Sequence, residues 1–448
     1  MDISSIICKF LGLQDLILEN IEYFDDEKQI YSQLTVKLPI HLARCADCGG
    51  EFFEVHQWHK RTIKAPPLGI YQKIDLTIKF PRGHCSLCHK IKPARLSSLH
   101  PKFKNLSCSF VELAGRMMED ATCAATSRWF RSSPSLMWKV DQWRMKHLKS
   151  NDYQLPEGIN VSELSADEVH FLTYKNKNRV SPFSKKWTPE FITNLVCTRH
   201  SKIISNAPGR DSKALRTCLK SLTKKQLSQV KYFALDMNPG FFSTAKKKCP
   251  NAEICVDRFH LIQMMNKSVD KVRSQEYRKA QRKKDSFQMT MLGPKRRYLI
   301  MENRNNTSTS VEEDNMLGKL KTLNDNIHNA ILITDYFHSI LEHKGIKFII
   351  IRVPNRQREV RESKSKIFKK FALKIRKYRK NIEAYIYSRL TTARSEGLNN
   401  KIKVLKRAGY AYTNKKSYQN KILQRCGYLN SQWINTNYLF WHITTPQV

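Results

Sequence analysis

Several acidic residues of this chain sit where metal-assisted phosphoryl transfer could use them. Asp236 closes an apolar run, YFALD, at the corner made by Asn238, Pro239 and Gly240. Asp167, with Glu168 beside it, precedes Val169, Phe171 and Tyr174, and Asp257 closes a second apolar run, AEICVD. Carboxylates at strand ends, in alternating strand and helix context, can converge rigidly at the edge of an α/β sheet. Two-metal chemistry needs that convergence, because the ions activate a water or 3′-hydroxyl and stabilise the leaving oxygen. A lone aspartate at a strand end is more often a cap or turn residue, so the pattern requires a further partner. Glu396 supplies one. On a helix from about Arg394, Leu398, Ile402 and Leu405 form a buried stripe, while Glu396, Asn399 or Asn400, and Lys403 fall on another face. A solvated polar face is the competing reading of that pattern.

A second chemistry is written in the cysteines. Cys45 and Cys48 form one CxxC pair and Cys85 and Cys88 another. Each puts two thiolates on a short turn, and two such turns can enclose one tetrahedral zinc ion. Ile74, Leu76 and Ile78 alternate with polar neighbours ahead of the second pair, as in a half-buried strand, and IYSQLTVKLPI precedes the first. The reading is a zinc-ribbon-like module, with redox dithiols or buried free cysteines as alternatives. His84 and His89 flank the second pair as possible substitute ligands or surface groups. His59, Lys60 and Arg61 give the module a basic segment that either contacts phosphates or is merely solvated.

The elements that must position these groups follow from periodicity. Between Leu106 and His147 the pattern is helical: three short helices with a polar, proline-containing break at Pro134. That is compatible with a helix-turn-helix whose last helix offers Lys139, Gln142 and Arg144 to DNA, or with a plain helical linker. FITNLVCTRHSKII reads as strand. PGRDSKALRTCLKSLTKKQL reads as helix, with Asp211 as its cap. The helix after Asp257 should continue through SVDKVRSQEYRKAQRKKDS, Ser310 ahead of Glu312 and Glu313 marks a helix start, and ALKIRKYRKNIEAYIYSRL is helical with a basic outer face.

Composition narrows the partners. The 448 residues are long enough for two or three domains, and 41% are hydrophobic. Lys and Arg total 79 against 39 Asp and Glu, a formal charge of +40. A polyanion balances such an excess best, which favours nucleic acid over ribosomal contact or an anionic membrane surface. MDISSIICKF lacks the basic start and apolar run of a leader, and no apolar stretch of about 18 residues predicts a membrane span. Twelve cysteines spread along such a chain fit reduced thiols and one metal site better than a disulfide scaffold.

Four segments resemble the bacterial ISL3-type insertion-sequence transposases. They are the paired cysteines, DEVHF at Asp167, ALDMNPGF followed by VDRFHLIQMMNKSVDKVR, and RSEGLNNKIKVLKRAGYAYTN. The likeness covers nearly the full chain, and DRFH and EGLNNKIK are more specific than the cysteine pairs. It implies a multidomain protein: a zinc-ribbon-like module over 1–100 and a helix-turn-helix over 101–150. An RNase H-like α/β core follows over 161–272, then a helical insertion over 273–390 and the core's last helix and tail over 391–448. It further implies Asp167, Asp236 and Glu396 as a DDE triad binding two Mg²⁺, besides one structural Zn²⁺. Arg258 and His260, next to Asp257, would shape the site or grip DNA. Asn399, Asn400, Lys401, Lys403, Lys406 and Arg407 would contact DNA from the last helix. Some family members carry a short acidic turn where this chain has Cys197-Thr198-Arg199-His200, which leaves the activity of this copy open.

The implied function is cutting of insertion-element ends at terminal inverted repeats and joining of 3′-hydroxyls to target DNA. It would be carried out by a homodimer or larger assembly in the bacterial cytoplasm, nucleoid-associated when DNA-bound. The rivals are a catalytically inactive DNA-binding regulator of the same descent and a nuclease acting on RNA or branched DNA. Tyr410 and Tyr412 lie among basic residues, but a tyrosine nucleophile explains less than the carboxylates do.

Overall fold

The computed structural model describes residues 3–13, 15–26, 29–69, 71–150, 155, 158–175, 187–301, 311–342, 366–409 and 412–430. The chain divides into two compact units, residues 1–156 with 403–448, and residues 157–402.

The first unit opens with helix α1 (Ile3–Phe10) and a five-stranded sheet: β1 (Ile17–Asp26), β2 (Gln29–Lys37), β3 (Phe52–Ala65), β4 (Lys73–Cys85) and β5 (Ile91–Pro93). The order is β1-β2-β4-β3, with β5 also on β4, and β2 runs parallel to β4. The alternation read in the sequence is what packs it: Ile74, Leu76 and Ile78 are at most 1% exposed, facing Leu34, Val36 and Ile63. Two strands carry no such signal. β1 lies at the sheet edge, and β3 is buried only near its ends, its middle being polar and exposed.

Helices α2 (Cys108–Asp120), α3 (Cys123–Trp129) and α4 (Pro134–Ser150) follow, matching the three expected from periodicity. Each start is capped. The hydroxyls of Ser107, Thr122 and Ser133 accept from the backbone N–H groups of Phe110, Ala125 and Leu136, each cap stabilising by about 1 kcal/mol. Their core is Phe110, Val111, Ala114, Met118, Phe130, Met137 and Val140. Arg144 lies across α2 because Gly115 has no side chain there; a Cβ would fall 2.2 Å from Arg144 Cδ.

The second unit is built on β6 (Glu163–Lys175), β7 (Trp187–Cys197), β8 (Lys202–Pro208), β9 (Tyr232–Leu235) and β10 (Glu253–Val256), in the order β10-β9-β6-β7-β8. β6, β7 and β8 form an antiparallel meander, whereas β9 and β10 run parallel to β6. The segment read as one strand is therefore two, and Thr198–Ser201 is their turn, with Ser201 at φ 51°. Between β8 and β9 lie α5 (Ser212–Leu219), capped by Asp211 as expected, and α6 (Lys224–Gln229). After β9, Asn238 caps α7 (Pro239–Lys248), with Pro239 at its first position.

From β10 the chain enters α8 (Arg258–Lys283), the long continuation expected after Asp257. Then come α9 (Ser286–Leu292), α10 (Tyr298–Met301), α11 (Val311–Leu323), α12 (Asp325–Glu342), α13 (Lys366–Lys377) and α14 (Arg379–Ser388). The Ser310 cap lies outside the described residues. These helices share one apolar core, including Met265, Val269, Leu320, Ile331, Phe337, Phe368 and Tyr385. Helix α15 (Ala393–Ala408) closes the insertion, and α16 (Lys415–Cys426) follows. The sequence grouped residues 391–448 with the catalytic core, but α16 packs on α2 and α4. Its Lys421, 5% exposed, donates to Asp141 Oδ1 at 2.8 Å and to the Met118 carbonyl at 2.7 Å.

Candidate active site and cysteine knuckles

Strand register brings the three aspartates to one level. Ala166 pairs with Leu235 and Val256 pairs with Leu235, all in parallel. The next residues along these neighbouring strands are Asp167, Asp236 and Asp257. Asp167 is half-buried, and burial raises its carboxyl above the usual range, with Asp236 and Asp257 adding to the effect. The N–H of Glu168 and the charge of His260 oppose it. Glu168 is pushed up to about 7, first by burial and then by Asp167 and Asp236, against the pull of Arg210. Crowded negative charge of this kind is what a bound cation relieves.

The surroundings fix these groups unequally. Asp236 is 39% exposed at its side chain and faces His260 Nδ1 at 3.3 Å. Asp257 is 1% exposed; one oxygen accepts from Thr392 N at 3.3 Å, and the other has no hydrogen-bond partner among the described residues. Arg258 pairs with Glu342 at 3.4 Å.

Helix α15 is fastened to β6 at two points. Ser395 and Ser165 share a buried hydroxyl contact of 2.7 Å, and Asn399 donates from Nδ2 to Asp167 Oδ2 at 2.7 Å. Glu396 lies between these anchors on the first turn of α15 and is exposed. Asp167, Asp236 and Glu396 do not close into one compact ligand set. Among the described residues, only the four cysteines form a group of three or more ligating side chains within 4.8 Å of one another.

The expected DNA contacts divide. Lys139, Lys401, Lys403, Asn400 and Arg407 are exposed, and Lys406 and Gln142 are half-buried, the latter accepting from Ser417 Oγ at 2.9 Å. Asn399, 9% exposed, is turned to Asp167. Arg144 is corrected outright. It is 1% exposed and pairs with Glu119 at 2.6 Å and Glu112 at 3.5 Å, so it holds the helices together and cannot reach a groove. Arg144 follows the buried Val140 by four residues, one helical turn, and so falls on the buried side of α4.

Of the polar groups at the aspartates, one was named in the sequence without a role and one escaped it. Glu168 is visible as the neighbour of Asp167 but has no periodic signal of its own. Asn194 is the cross-strand partner of Asp167, 1% exposed, with neither amide atom hydrogen-bonded among the described residues. Only the β6–β7 register reveals it, since directly opposed residues share a face of the sheet. Tyr412, by contrast, packs against Tyr418 at 5.0 Å, and its phenol is pushed up to about 12, chiefly by burial, which suits a core residue and not a nucleophile. Tyr410 lies outside the described residues.

The cysteine pairs form matched knuckles. In the first, Gly49 N donates to the Cys45 carbonyl and Cys45 N to that of Gly50; in the second, His89 N donates to Cys85 and Cys85 N to Lys90. Gly49 and His89 hold equivalent left-handed positions, at φ 75° and 54°. Cys48 and Cys85 Sγ lie 3.3 Å apart, and Cys45 and Cys88 Sγ 4.0 Å. Tetrahedral thiolates around zinc would stand about 3.8 Å apart, so the set fits that ion. The thiol of Cys85 is drawn down to about 6, first by the N–H of Cys88, and a Cβ on Gly50 would come 2.8 Å from its sulfur. His84 and His89 are not part of this cluster. All twelve cysteines are free thiols.

The ISL3 transposase family model matches residues 183–422, more than half of the chain. The transposase for insertion sequence element IS1001 of Bordetella parapertussis is 21% identical over 415 residues, covering 92% of this chain and 95% of that protein. The chain belongs to the ISL3 family of transposases. No helix among the described residues is long and apolar enough to cross a membrane.

Proposed function

We propose that this protein is a DDE-type DNA transposase that cuts the ends of an insertion element and joins the 3′-hydroxyls to target DNA. The observation that carries the reading is the placement of Asp167 and Asp236 side by side on parallel strands, with the Glu396 helix pinned to Asp167 through Asn399. The sheet order, with an antiparallel meander on one side of β6 and parallel strands on the other, supports an RNase H-like core.

Asp167, Asp236 and Glu396 would hold two Mg²⁺ ions, whose hard-cation chemistry suits carboxylate oxygens, activates the attacking oxygen and offsets charge on the phosphate. Asn399 holds the Asp167 carboxylate at Oδ2, and His260 stands 3.3 Å from that of Asp236. Glu396, exposed on the first turn of its helix, would be the third carboxylate to hold the ions. The four cysteines would hold one structural Zn²⁺ that ties the two knuckles together. The ribbon and helix-turn-helix would bind the terminal inverted repeats, in a homodimer or larger assembly acting on nucleoid DNA in the cytoplasm.

The open spacing of the carboxylates favours one rival, an inactive DNA-binding regulator. A cleavage and strand-transfer assay on DNA bearing the element's terminal repeats decides between them. End-specific 3′-hydroxyl products that need Mg²⁺ and vanish in Asp236→Ala and Glu396→Ala are expected. Tight end binding without cleavage by the wild type would replace the transposase reading with the regulator.

A further inference from the structure

In the first unit an open groove of about 660 Å³ lies where the start of β4 meets α3 and the turn after it. Its walls include Gln72 and Lys73 on one side and Arg128, Trp129, Arg131 and Ser132 on the other. None of the groove residues is acidic. Lys73 already has a carboxylate neighbour in Asp75, at 3.3 Å. Arg128 and Arg131 are exposed, and Trp129 is 56% exposed, an unusual fraction for a large aromatic side chain.

The groove is held in shape. Arg131 sits in the left-handed region at φ 43°, and its Nε donates to Gln72 Oε1 at 2.8 Å, tying the turn to the sheet. Behind the exposed pair, Thr126 and Ser127 are buried and anchor α3. The hydroxyl of Ser132 has no hydrogen-bond partner among the described residues, although the atom is out of contact with bulk water. A donor left in that state, beside two arginines and a lysine, suits an acceptor brought by a ligand.

We propose that this groove seats the sugar-phosphate backbone of duplex DNA, beside the major groove that the exposed face of α4 enters. The inference rests on the reading of this unit as a DNA binder and adds the surface that grips one strand. In helix-turn-helix proteins the helix before the recognition helix crosses the backbone, and here α3 and its turn carry the cations. Arg128 and Arg131 provide forked donors for phosphate oxygens, Ser132 a hydroxyl donor, and Trp129 an apolar face for the deoxyribose. Such contacts set register on the duplex and carry no sequence information.

The test uses the full-length chain and fluorescence anisotropy with two labelled duplexes, one bearing the terminal repeats and one of random sequence, across a salt series. Arg128→Ala with Arg131→Ala should weaken both duplexes alike, by about tenfold or more, and lower the salt slope by about 2, one for each lost phosphate contact. Arg128→Ala alone, which leaves the Arg131–Gln72 tie intact, should lower it by about 1 and keep the wild-type melting temperature. An unchanged slope while the wild type binds both duplexes overturns the groove proposal and leaves the DNA-binding reading standing. Weakening confined to the terminal-repeat duplex also overturns it, because the groove would then read bases. So would Trp129→Ala losing a single-stranded oligonucleotide while keeping both duplexes, since the occupant would be an unpaired strand. Failure of the wild type to bind either duplex removes the DNA-binding reading itself.

Discussion

At the scale of single residues, Asn399 and His100 show how a buried hydrogen bond decides a role. Asn399 donates to Asp167 Oδ2 from the helix that carries Glu396, so its amide ties one carboxylate to the element that bears another. Asn399→Ala is expected to lower strand transfer by about 10- to 100-fold, as losses of supporting contacts at metal sites do. It should also raise the Mg²⁺ concentration needed for half-maximal activity, with the melting temperature little changed. An unaltered Mg²⁺ requirement would return Asn399 to a merely structural role. His100 is an acid-sensitive point of the first unit. Its Nδ1 accepts from the N–H groups of Lys102 and Phe103 at 3.2 and 3.1 Å, and its ring meets Trp143 edge-on at 4.4 Å. Burial first, and the charge of His147 second, push its pKa down to about 4 from 6.5. The unfolded chain therefore takes up the proton first as acid is added. Stability from the neutral ring is fully present above about pH 6.5 and is lost as the pH falls toward 4. Thermal melts should drop between about pH 6.5 and 4, and His100→Asn, which keeps an acceptor but cannot titrate, should flatten the drop. Equal drops in both proteins would mean that other groups govern the acid limit.

At the scale of elements, what could be read in advance was what repeats or caps. The helical period gave α2, α3 and α4, Asp211 gave the start of α5, and the period-two alternation of Ile74, Leu76 and Ile78 gave β4. β3 stayed hidden because its middle is exposed, leaving no buried face to impose alternation. The candidate site was legible only in part, for a related reason. The motifs named Asp167, Asp236 and Glu396, but Asn194 becomes a neighbour of Asp167 only through the register of β6 on β7. The seat of helix α16 on α2 and α4 was not legible because its anchor is a long-range charge pair that no local pattern announces. Lys421 and Asp141 are both nearly out of water, at 7% and 3% side-chain exposure. Lys421→Met is predicted to destabilise the first unit by about 3–5 kcal/mol, since Asp141 keeps its charge without a partner. The double variant with Asp141→Leu should recover much of that loss in denaturant melts; no recovery would show that Lys421 acts through the Met118 carbonyl instead. The cysteine knuckles permit a parallel test. Chelation of the purified protein, or Cys45→Ser, should release one equivalent of zinc and lower the melting temperature of the first unit, as in other closed four-thiolate sites. Full retention of stability would make the cluster a set of free thiols.

At the scale of the whole molecule, a formal charge of +40 either dissipates into solvent or is matched by phosphates, and the two cases differ in salt dependence. The charge is not spread evenly. Helix α13 carries Lys366, Lys369, Lys370, Lys374, Arg376 and Lys377 with no acidic residue, and buries Phe368 and Phe371 on its opposite side. All six basic residues are exposed, so one face of a helix about 18 Å long is mostly cationic, interrupted by the exposed Leu373. Phe371 meets Phe337 of α12 at 5.4 Å, which fixes that face relative to the insertion core. A face that serves only solubility adds little to the salt slope, whereas one that lies on DNA adds about 0.9 for each phosphate it neutralises. The full-length chain should therefore lose about 10³-fold or more of its affinity for random duplex between about 50 and 200 mM salt, as proteins with six or more phosphate contacts do. Charge reversal of Lys369, Lys370 and Lys374 to Glu should cut the slope by at least about 2 if α13 meets DNA, while the insertion core stays folded on Phe368 and Phe371. A steep wild-type slope left intact by the reversal would assign the phosphate contacts to other basic surfaces. A wild-type slope near zero would mean that the excess charge is merely solvated, and that the composition by itself never pointed to nucleic acid.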